Sequence, residues 1–468
     1  MKKTLLTLFA LLLSSVCMAG ESYSIRPLKK ERICQGWGTS LCWWAAQSGR
    51  WDEERLDSLI DWLVSPQGLN YNVFRYNIGG GDDPHWTNCD PHHFGASGGK
   101  GLRAELEGFK VHPDSAYNWQ ADEAQRRIML MIKRKRPDAI FEAFSNSAPW
   151  WMTVSGCVGG AKKATDDNVA PAMYESFARY LVDVCKHYKD TYGIEFATLD
   201  PFNEPVTDYW YQNGGQEGCH FSVEGQIAMI KVLRRELDRS GLSTVISAAD
   251  ETSVMQSIID LKAYDRADVL KLVGQWNTHT YKADNEQRKR LRELCDSLDI
   301  RLWQSETGDG GKGIHGNLRM AQRLVDDIRY LQPDVWCDWQ YVEENYDQWS
   351  LVMCDSTWGT FRRHHNYYVR QMFSRFIPVG YRWMDVDDEH GLAAQSPDGK
   401  QLVYVTLNAE RGSRTTEVNL PKGYRLKAIF RTSRTEDCEP LPINDKQKNR
   451  TIFTTLPSLS IVTMVMEK

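Results

Sequence analysis

From about residue 32 to residue 376, short apolar runs alternate with amphipathic stretches. The runs are Arg32–Trp37, Asn72–Ile78, Ala139–Phe144, Glu195–Phe202, Thr244–Ala248, Leu272–Thr278, Ile300–Gln304 and Val335–Tyr341. Each is rich in β-branched or aromatic residues, the pattern of strands buried on both faces of a parallel sheet. Between them the apolar spacing changes to three and four. Val169, Met173, Phe177, Leu181, Val184 and Tyr188 share one face of a predicted helix; Ile227, Ile230, Leu233 and Leu237 share a face of the next, with Ser222 as N-cap and Gly241 as stop. Leu291, Leu294 and Leu298, then Leu318, Ala321, Leu324, Ile328 and Leu331, mark two more. Eight strands alternating with helices predict a (β/α)8 TIM barrel rather than an open doubly wound sheet. No glycine-rich phosphate loop follows the first strand, which argues against a nucleotide site.

Beyond about Ile377 the helical period disappears. Leu402–Leu407, Arg425–Phe430, Thr451–Thr455 and Leu459–Met466 read as strands separated by turn signals such as Ser396-Pro397-Asp398-Gly399-Lys400. The expected organisation is a catalytic barrel over residues 20–376 and an appended C-terminal β-sandwich over 377–468, which residues 20–30 can join. At the other end, Lys2 and Lys3 precede an apolar run, Leu5 to Leu13, and small residues lead to Ala19. This reads as an export leader over residues 1–19, too short to span a bilayer. Cys17 as a lipid attachment site fits Ser14-Ser15-Val16 poorly. The expected location is therefore periplasmic or secreted, with no membrane span.

Composition narrows the partners. Lys and Arg total 57 against 62 Asp and Glu, a formal charge of −5, and no basic stripe calls for nucleic acid. The chain holds 17 Trp, 20 Tyr and 15 Phe, which suits a cleft for sugar rings as well as a large core. Of the 11 cysteines, Cys17 leaves with the leader and ten remain, a count that permits disulfides whose pairing the sequence leaves open. Cys185, Cys295 and Cys337 sit in apolar patterns that read as buried free thiols. A monomer is expected.

Barrel enzymes carry their chemistry at the C-terminal ends of the strands. Two strands here run into glutamate: the fourth as Ala197-Thr198-Leu199-Asp200-Pro201-Phe202-Asn203-Glu204-Pro205, the seventh as Leu302-Trp303-Gln304-Ser305-Glu306-Thr307-Gly308. Breaking a glycosidic bond takes an acid to protonate the leaving oxygen and a carboxylate to capture the oxocarbenium-like centre. Strands four and seven face each other across a barrel mouth, and a carboxylate separation of about 5 Å makes a glycosidase retaining. Glu204 is assigned as acid/base and Glu306 as nucleophile. Arg75, ending the second strand, is expected beside Glu306, holding it ionised. Asn203 is expected to bond the sugar 2-hydroxyl.

With these motifs the chain resembles the retaining barrel hydrolases of clan A, and among them glycoside hydrolase family 30, over the whole chain beyond the leader. Asn203-Glu204-Pro205 resembles the clan's acid/base motif and Trp303-Gln304-Ser305-Glu306 the family's nucleophile strand. Gly36-Trp37-Gly38-Thr39-Ser40, Phe74-Arg75-Tyr76-Asn77-Ile78-Gly79-Gly80-Gly81 and Ser145-Asn146-Ser147-Ala148-Pro149-Trp150-Trp151-Met152 resemble the ends of the first three strands, with Ala148 where proline is usual. The resemblance implies that Tyr281 orients the nucleophile and that His279 lines the cleft. It also adds Trp37 and Asn146 to the substrate-binding set. Trp339, closing the eighth strand, is the candidate platform under the reacting sugar, and Trp150 and Trp151 are expected to wall neighbouring subsites.

No cofactor is implied. The loop after the second strand carries Asp82, Asp83, His85, Cys89, Asp90, His92 and His93, whose spacing matches no established zinc site, so a polar cleft loop is the better reading. The first-strand segment Gly36–Ala45 looks most like the endo-β-1,6-galactanase branch of the family. Other family activities, on β-1,6-glucan, xylan or smaller glycosides, remain alternatives, as does a carbohydrate-binding protein on a retired hydrolase scaffold.

Overall fold

The computed structural model describes residues 21–90, 106–308, 310–344, 348–355, 359–444 and 446–468. Residues 1–20, where a leader is expected, with Cys17, and His92 and His93 lie outside the described residues. Strand β1 (Glu21–Pro27) precedes eight parallel strands that close into a ring in chain order: β2 (Gly36–Ser40), β3 (Val73–Asn77), β4 (Ile140–Phe144), β5 (Thr198–Asp200), β6 (Val245–Ser253), β7 (Val273–Lys282), β8 (Arg301–Glu306) and β9 (Val335–Asp338). Pairing of β9 with β2, from Gly36 with Val335 to Thr39 with Asp338, completes the closure. Helices such as Tyr174–Tyr192 and Val223–Ser240 follow the strands; Ser222 Oγ caps the latter and Gly241 ends it at φ 70°. This is the (β/α)8 barrel read from the sequence.

Period-two alternation within each strand decides what faces the lumen. On β3, Phe74 and Tyr76 turn outward, meeting the rings of Phe141 and Tyr188 at centroid distances of 6.0 and 5.1 Å. Arg75 and Asn77 turn inward. On β7, Trp276 turns outward and donates to Ser257 Oγ at 2.8 Å, while Gln275, Asn277, His279 and Tyr281 turn inward. The lumen is consequently polar. Buried Glu142 accepts from Arg75 Nε at 2.8 Å, Thr198 Oγ1 at 2.6 Å, Ser247 Oγ at 3.2 Å, Gln275 Nε2 at 3.1 Å and Asn277 Nδ2 at 3.1 Å. A carboxylate so supplied with donors avoids the cost of a buried, unpaired charge.

Several barrel strands depart from the expected bounds, β2 and β6 with the most consequence. Strand β2 begins at Gly36, not Arg32, because the segment before it pairs with the sandwich: Cys34 N donates to Tyr381 O at 2.8 Å and Ile33 bridges to Arg382. Strand β6 runs past Ala248 to Ser253, with register shifts between Ala249 and Glu251 and between Glu251 and Ser253, and with Asp250 at φ 62°. Irregularities of this kind re-aim side chains beside active sites.

The C-terminal region is β-rich. Strand β1 ties its two parts together: Ile25–Pro27 pairs antiparallel with Met384–Val386, and Glu21–Ser24 pairs parallel with Thr416–Asn419. Ile25, Tyr404, Val418, Ile452, Val462 and Met464 pack in its core. Trp383, Val403, Val405 and Ile461 belong instead to the cluster that contains the barrel core, so the two parts share one continuous apolar contact. Strands Arg382–Val386, Gly391–Gln395 and Arg414–Asn419 fall outside the predicted runs. Their burial is interrupted by charged or small residues, which hides the pattern. Cys89 and Cys157 form a disulfide, and Cys185, Cys295 and Cys337 are buried free thiols. No helix among the described residues is long and apolar enough to cross a membrane.

Candidate active site

At the C-terminal mouth of the barrel lies a cleft of about 400 Å³, lined by Asn146, Asn203, Glu204, Tyr281, Glu306 and Trp339 among the residues the sequence singled out. Glu204 sits on the turn after β5, with φ 49°, a backbone region that side chains other than glycine seldom occupy. The turn is held by Glu204 N donating to Asp250 O at 2.9 Å and by Trp210 Nε1 donating to Glu204 O at 3.0 Å. Glu306 ends β8. A carboxylate oxygen of each glutamate and His279 Nδ1 all lie within 4.8 Å of one another, and both glutamates are buried.

Each carboxylate has its own donors. Glu204 Oε2 accepts from Tyr209 Oη at 2.5 Å, and Glu204 Oε1 lies 3.1 Å from His279 Nδ1. Glu306 Oε1 accepts from Tyr281 Oη at 2.9 Å, and Glu306 Oε2 from Arg75 at 3.5 Å. Arg75 is fully buried and spends its other nitrogens on Glu142 and Asp250. His279 Nε2 faces Asp250 Oδ1 at 3.1 Å, so both ring nitrogens meet carboxylates.

Electrostatics follow from this arrangement. Burial alone would lower the His279 imidazole, but Glu306 and Asp250 outweigh it and lift it to about 10, so it is a cation at neutral pH. Burial opposes ionisation of Asp250 too, yet Arg75 and then His279 hold it at about 2. Burial pushes the Glu306 carboxyl up to about 7 against the pull of His279, and the charge on Glu204 adds to the rise. Two carboxylates this close titrate as a pair, and near neutrality the pair keeps one proton.

Several expected residues stand where the sequence put them and others do not. Asn203 is nearly buried, and no donor among the described residues reaches its Oδ1. Asn146 donates Nδ2 to Cys42 Sγ at 3.5 Å while lining the cleft. Trp37 is a correction. It points away from the mouth, donates Nε1 to Ile377 O at 2.7 Å and meets Trp336 and Trp383 edge-on, which makes it part of the seam to the sandwich. Trp150 and Trp151, expected at neighbouring subsites, stand outside the lining of this cleft. Their indoles donate to Val111 O and Lys110 O at 3.1 and 2.9 Å, pinning the segment after the long loop. In that loop Cys89 is bonded to Cys157, which removes its thiolate from any ligand set with Asp82 and His85. Asp83 accepts from the backbone of His85 and Thr87 and so closes its own turn.

Sequence reasoning missed Asp250, Tyr209, Trp210, Gln216, Thr252 and Trp349. Tyr209, Trp210, Gln216 and Trp349 line the cleft from loops without periodicity, while Asp250 and the cleft-lining Thr252 lie in the extension of β6. An Asp-Glu pair closing an apolar run, Ala248-Ala249-Asp250-Glu251, was the available signal for the latter.

Comparison with known proteins places this geometry. The model of O-glycosyl hydrolase family 30 matches residues 21–297. An endo-beta-1,6-galactanase from Hypocrea rufa is 29% identical over 410 residues, covering 85% of this chain and 83% of that protein. An exo-beta-1,6-galactobiohydrolase from Bifidobacterium longum subsp. longum is 25% identical over 83% of this chain, which spans 34% of that longer protein. Among solved structures, the catalytic domain of GH30 xylanase C from Talaromyces cellulolyticus superposes with a TM-score of 0.72 at 17% identity, covering 96% of this chain and all of that one.

Proposed function

The chain belongs to O-glycosyl hydrolase family 30 and is a glycoside hydrolase, and from that premise we propose that it cleaves β-1,6-galactosidic linkages in galactan side chains with retention, through Glu204 and Glu306. The carrying observation is the carboxylate separation, within 4.8 Å, which leaves no room for a water between acid and nucleophile. Glu306 attacks the anomeric carbon while Glu204 protonates the departing glycosidic oxygen, so the glycosidic bond breaks as an ester to Glu306 forms. Glu204, now ionised, takes a proton from water, whose oxygen attacks the same carbon and returns Glu306 as a carboxylate. Esterification removes the charge beside Glu204, which eases this switch from acid to base. Arg75 and Tyr281 aim their donors at Glu306, and the His279 cation adds its charge from 3.7 Å, so all three stabilise Glu306 as the leaving carboxylate. Asn203 offers an unused acceptor to a sugar hydroxyl, and Trp339 a ring face for the sugar. The β-1,6-galactan specificity is supported by the two relatives named for β-1,6-linked galactose.

Product analysis on β-1,6-galactan, β-1,6-glucan and xylan tests the substrate. A ladder of galacto-oligosaccharides is expected; cleavage of xylan or glucan alone would overturn the galactan reading and leave the chemistry standing. Proton NMR should show the β-anomer first, and an initial α-anomer would overturn retention. We also propose export of the enzyme, supported by the leader pattern and by a disulfide suited to an oxidising compartment.

The pH profile follows from the pair. As pH rises through about 7 the pair loses its remaining proton, and an acid is no longer present for the leaving oxygen. kcat/KM on the polymer is therefore expected to fall on that side. E204Q removes the charge that helps to raise Glu306, so the Glu306 ionisation should move to lower pH. An alkaline fall kept near pH 7 in E204Q, which has no acid left to ionise, would contradict the shared proton.

A further inference from the structure

We propose that Glu251, paired with Asp260 in the barrel wall, is a positioning residue for Glu204 that acts through the backbone of the turn carrying it. This rests on the reading of Glu204 as acid/base. The turn adopts a conformation that its own residues do not favour, so it has to be held from outside. Two of its holding bonds come from consecutive residues of β6. Asp250 offers its carbonyl to Glu204 N at 2.9 Å. Glu251 offers its carboxyl to Val206 N, at 3.2 Å from Oε1 and 3.3 Å from Oε2.

Glu251 is buried, and its other contacts fix it in that pose. Gln226 Nε2 donates to its Oε1 at 3.3 Å, and Gln226 is itself oriented by Tyr264 Oη at 3.0 Å and Phe221 O at 3.2 Å. The remaining partner is Asp260, also buried, which accepts from Gln256 Nε2 at 2.7 Å through Oδ1 and hydrogen-bonds Glu251. No cation pairs with either acid, and no amide or hydroxyl reaches Asp260 Oδ2, among the described residues. Two carboxyls in contact need a proton between them. Burial raises both carboxyls, Asp260 to about 6, so the pair shares a proton. The pair is thus a neutral-to-anionic clamp with one face on Asp260 and the other on the peptide two residues past Glu204.

A group that only places the acid should matter in proportion to how much the leaving oxygen needs protonating. The test compares the polymer, whose leaving group is an alcohol, with the 2,4-dinitrophenyl glycoside of whichever sugar the wild type releases. E251L is expected to lose on the order of 10²-fold in kcat/KM on the polymer, the scale of a slightly misplaced catalytic group, and about threefold or less in kcat/KM on the aryl glycoside. This ratio reports the first step alone, whereas kcat also contains the second, where Glu204 is the base. E251Q keeps an acceptor for Val206 and a donor for Asp260, and should restore kcat/KM on the polymer. Equal loss of kcat/KM on both substrates, or a lowered Tm with unchanged kcat/KM, would overturn the proposal. Should E251L not fold, D260A, which leaves Glu251 without its partner, is expected to show the same split at smaller amplitude, and absence of a split there would be equally decisive. E204Q serves as the control: a split in E204Q without one in the Glu251 variants sinks this proposal alone, and no split in E204Q sinks the acid assignment with it.

Discussion

Glu306→Ala is expected to lower kcat by roughly 10⁵-fold, the scale seen when a covalent nucleophile is deleted, while oligosaccharide binding survives. The side chain is short of solvent and ends a strand whose backbone does not depend on it, so the variant should fold. Its loss also relieves the site of a like charge beside Glu204, which argues against collapse of the mouth. Removing the carboxylate leaves a space opposite the glycosidic oxygen that a small anion can enter. Azide added to E306A should restore turnover on an activated aryl glycoside and give a glycosyl azide of inverted anomeric configuration. Isothermal titration with a galacto-oligosaccharide checks binding, and stopped assays check rate. A loss of only about tenfold would remove Glu306 from the nucleophile role.

The second large effect is on stability. Arg75 lies among Glu142, Asp250 and Glu306, with no exposed surface of its own. Arg75→Leu removes the common cation and leaves those carboxylates buried together. Breaking one buried pair costs about 3–5 kcal/mol, so unfolding in urea should shift by at least that much. Arg75→Lys is expected to recover only part of it, because an ammonium is a point charge and cannot bridge partners on two sides of the lumen as the planar fork does. Activity of any folded R75K should also fall, since Asp250 and Glu306 would compete for one donor. A shift in urea midpoint equivalent to under about 1 kcal/mol would show that the carboxylates neutralise themselves by taking up protons.

Much of this architecture was legible before any coordinates. The barrel strands announced themselves as apolar runs because helices cover one side of each. The same runs also carried polar residues at every second position, Gln275, Asn277 and His279 most plainly, and that alternation was the trace of a polar lumen. Glu204 and Glu306 were found because strand order fixes which ends face each other across a barrel. Trp37 misled because a tryptophan near a strand end looks like a sugar platform, whereas Gly36 starts the strand and places this indole at the opposite end, against Trp383. The facing of Trp150 and Trp151 was not legible, because which way each indole turns depends on the loop Lys110–Val111, whose path no local pattern encodes. Tyr209 and Thr252 come from irregular backbone, where residue type alone carries no direction. The sandwich strands around Arg382 and Arg414 stayed hidden because charged residues interrupt their apolar runs, Arg414 being drawn in by buried Asp388.

The irregular end of β6 has a practical consequence. There Asp250, Glu251 and Thr252 reach Arg75 and His279, the Val206 peptide and the Tyr209 hydroxyl in turn. Three neighbours in sequence serve four partners only because the register slips between them. Anyone exchanging the loop from Val206 to Phe221 to alter which glycan is accepted is therefore moving one half of a two-part fitting. The graft will work as a cassette with residues 250–252, and a single insertion or deletion in that tripeptide will undo it even if every cleft-lining side chain is kept.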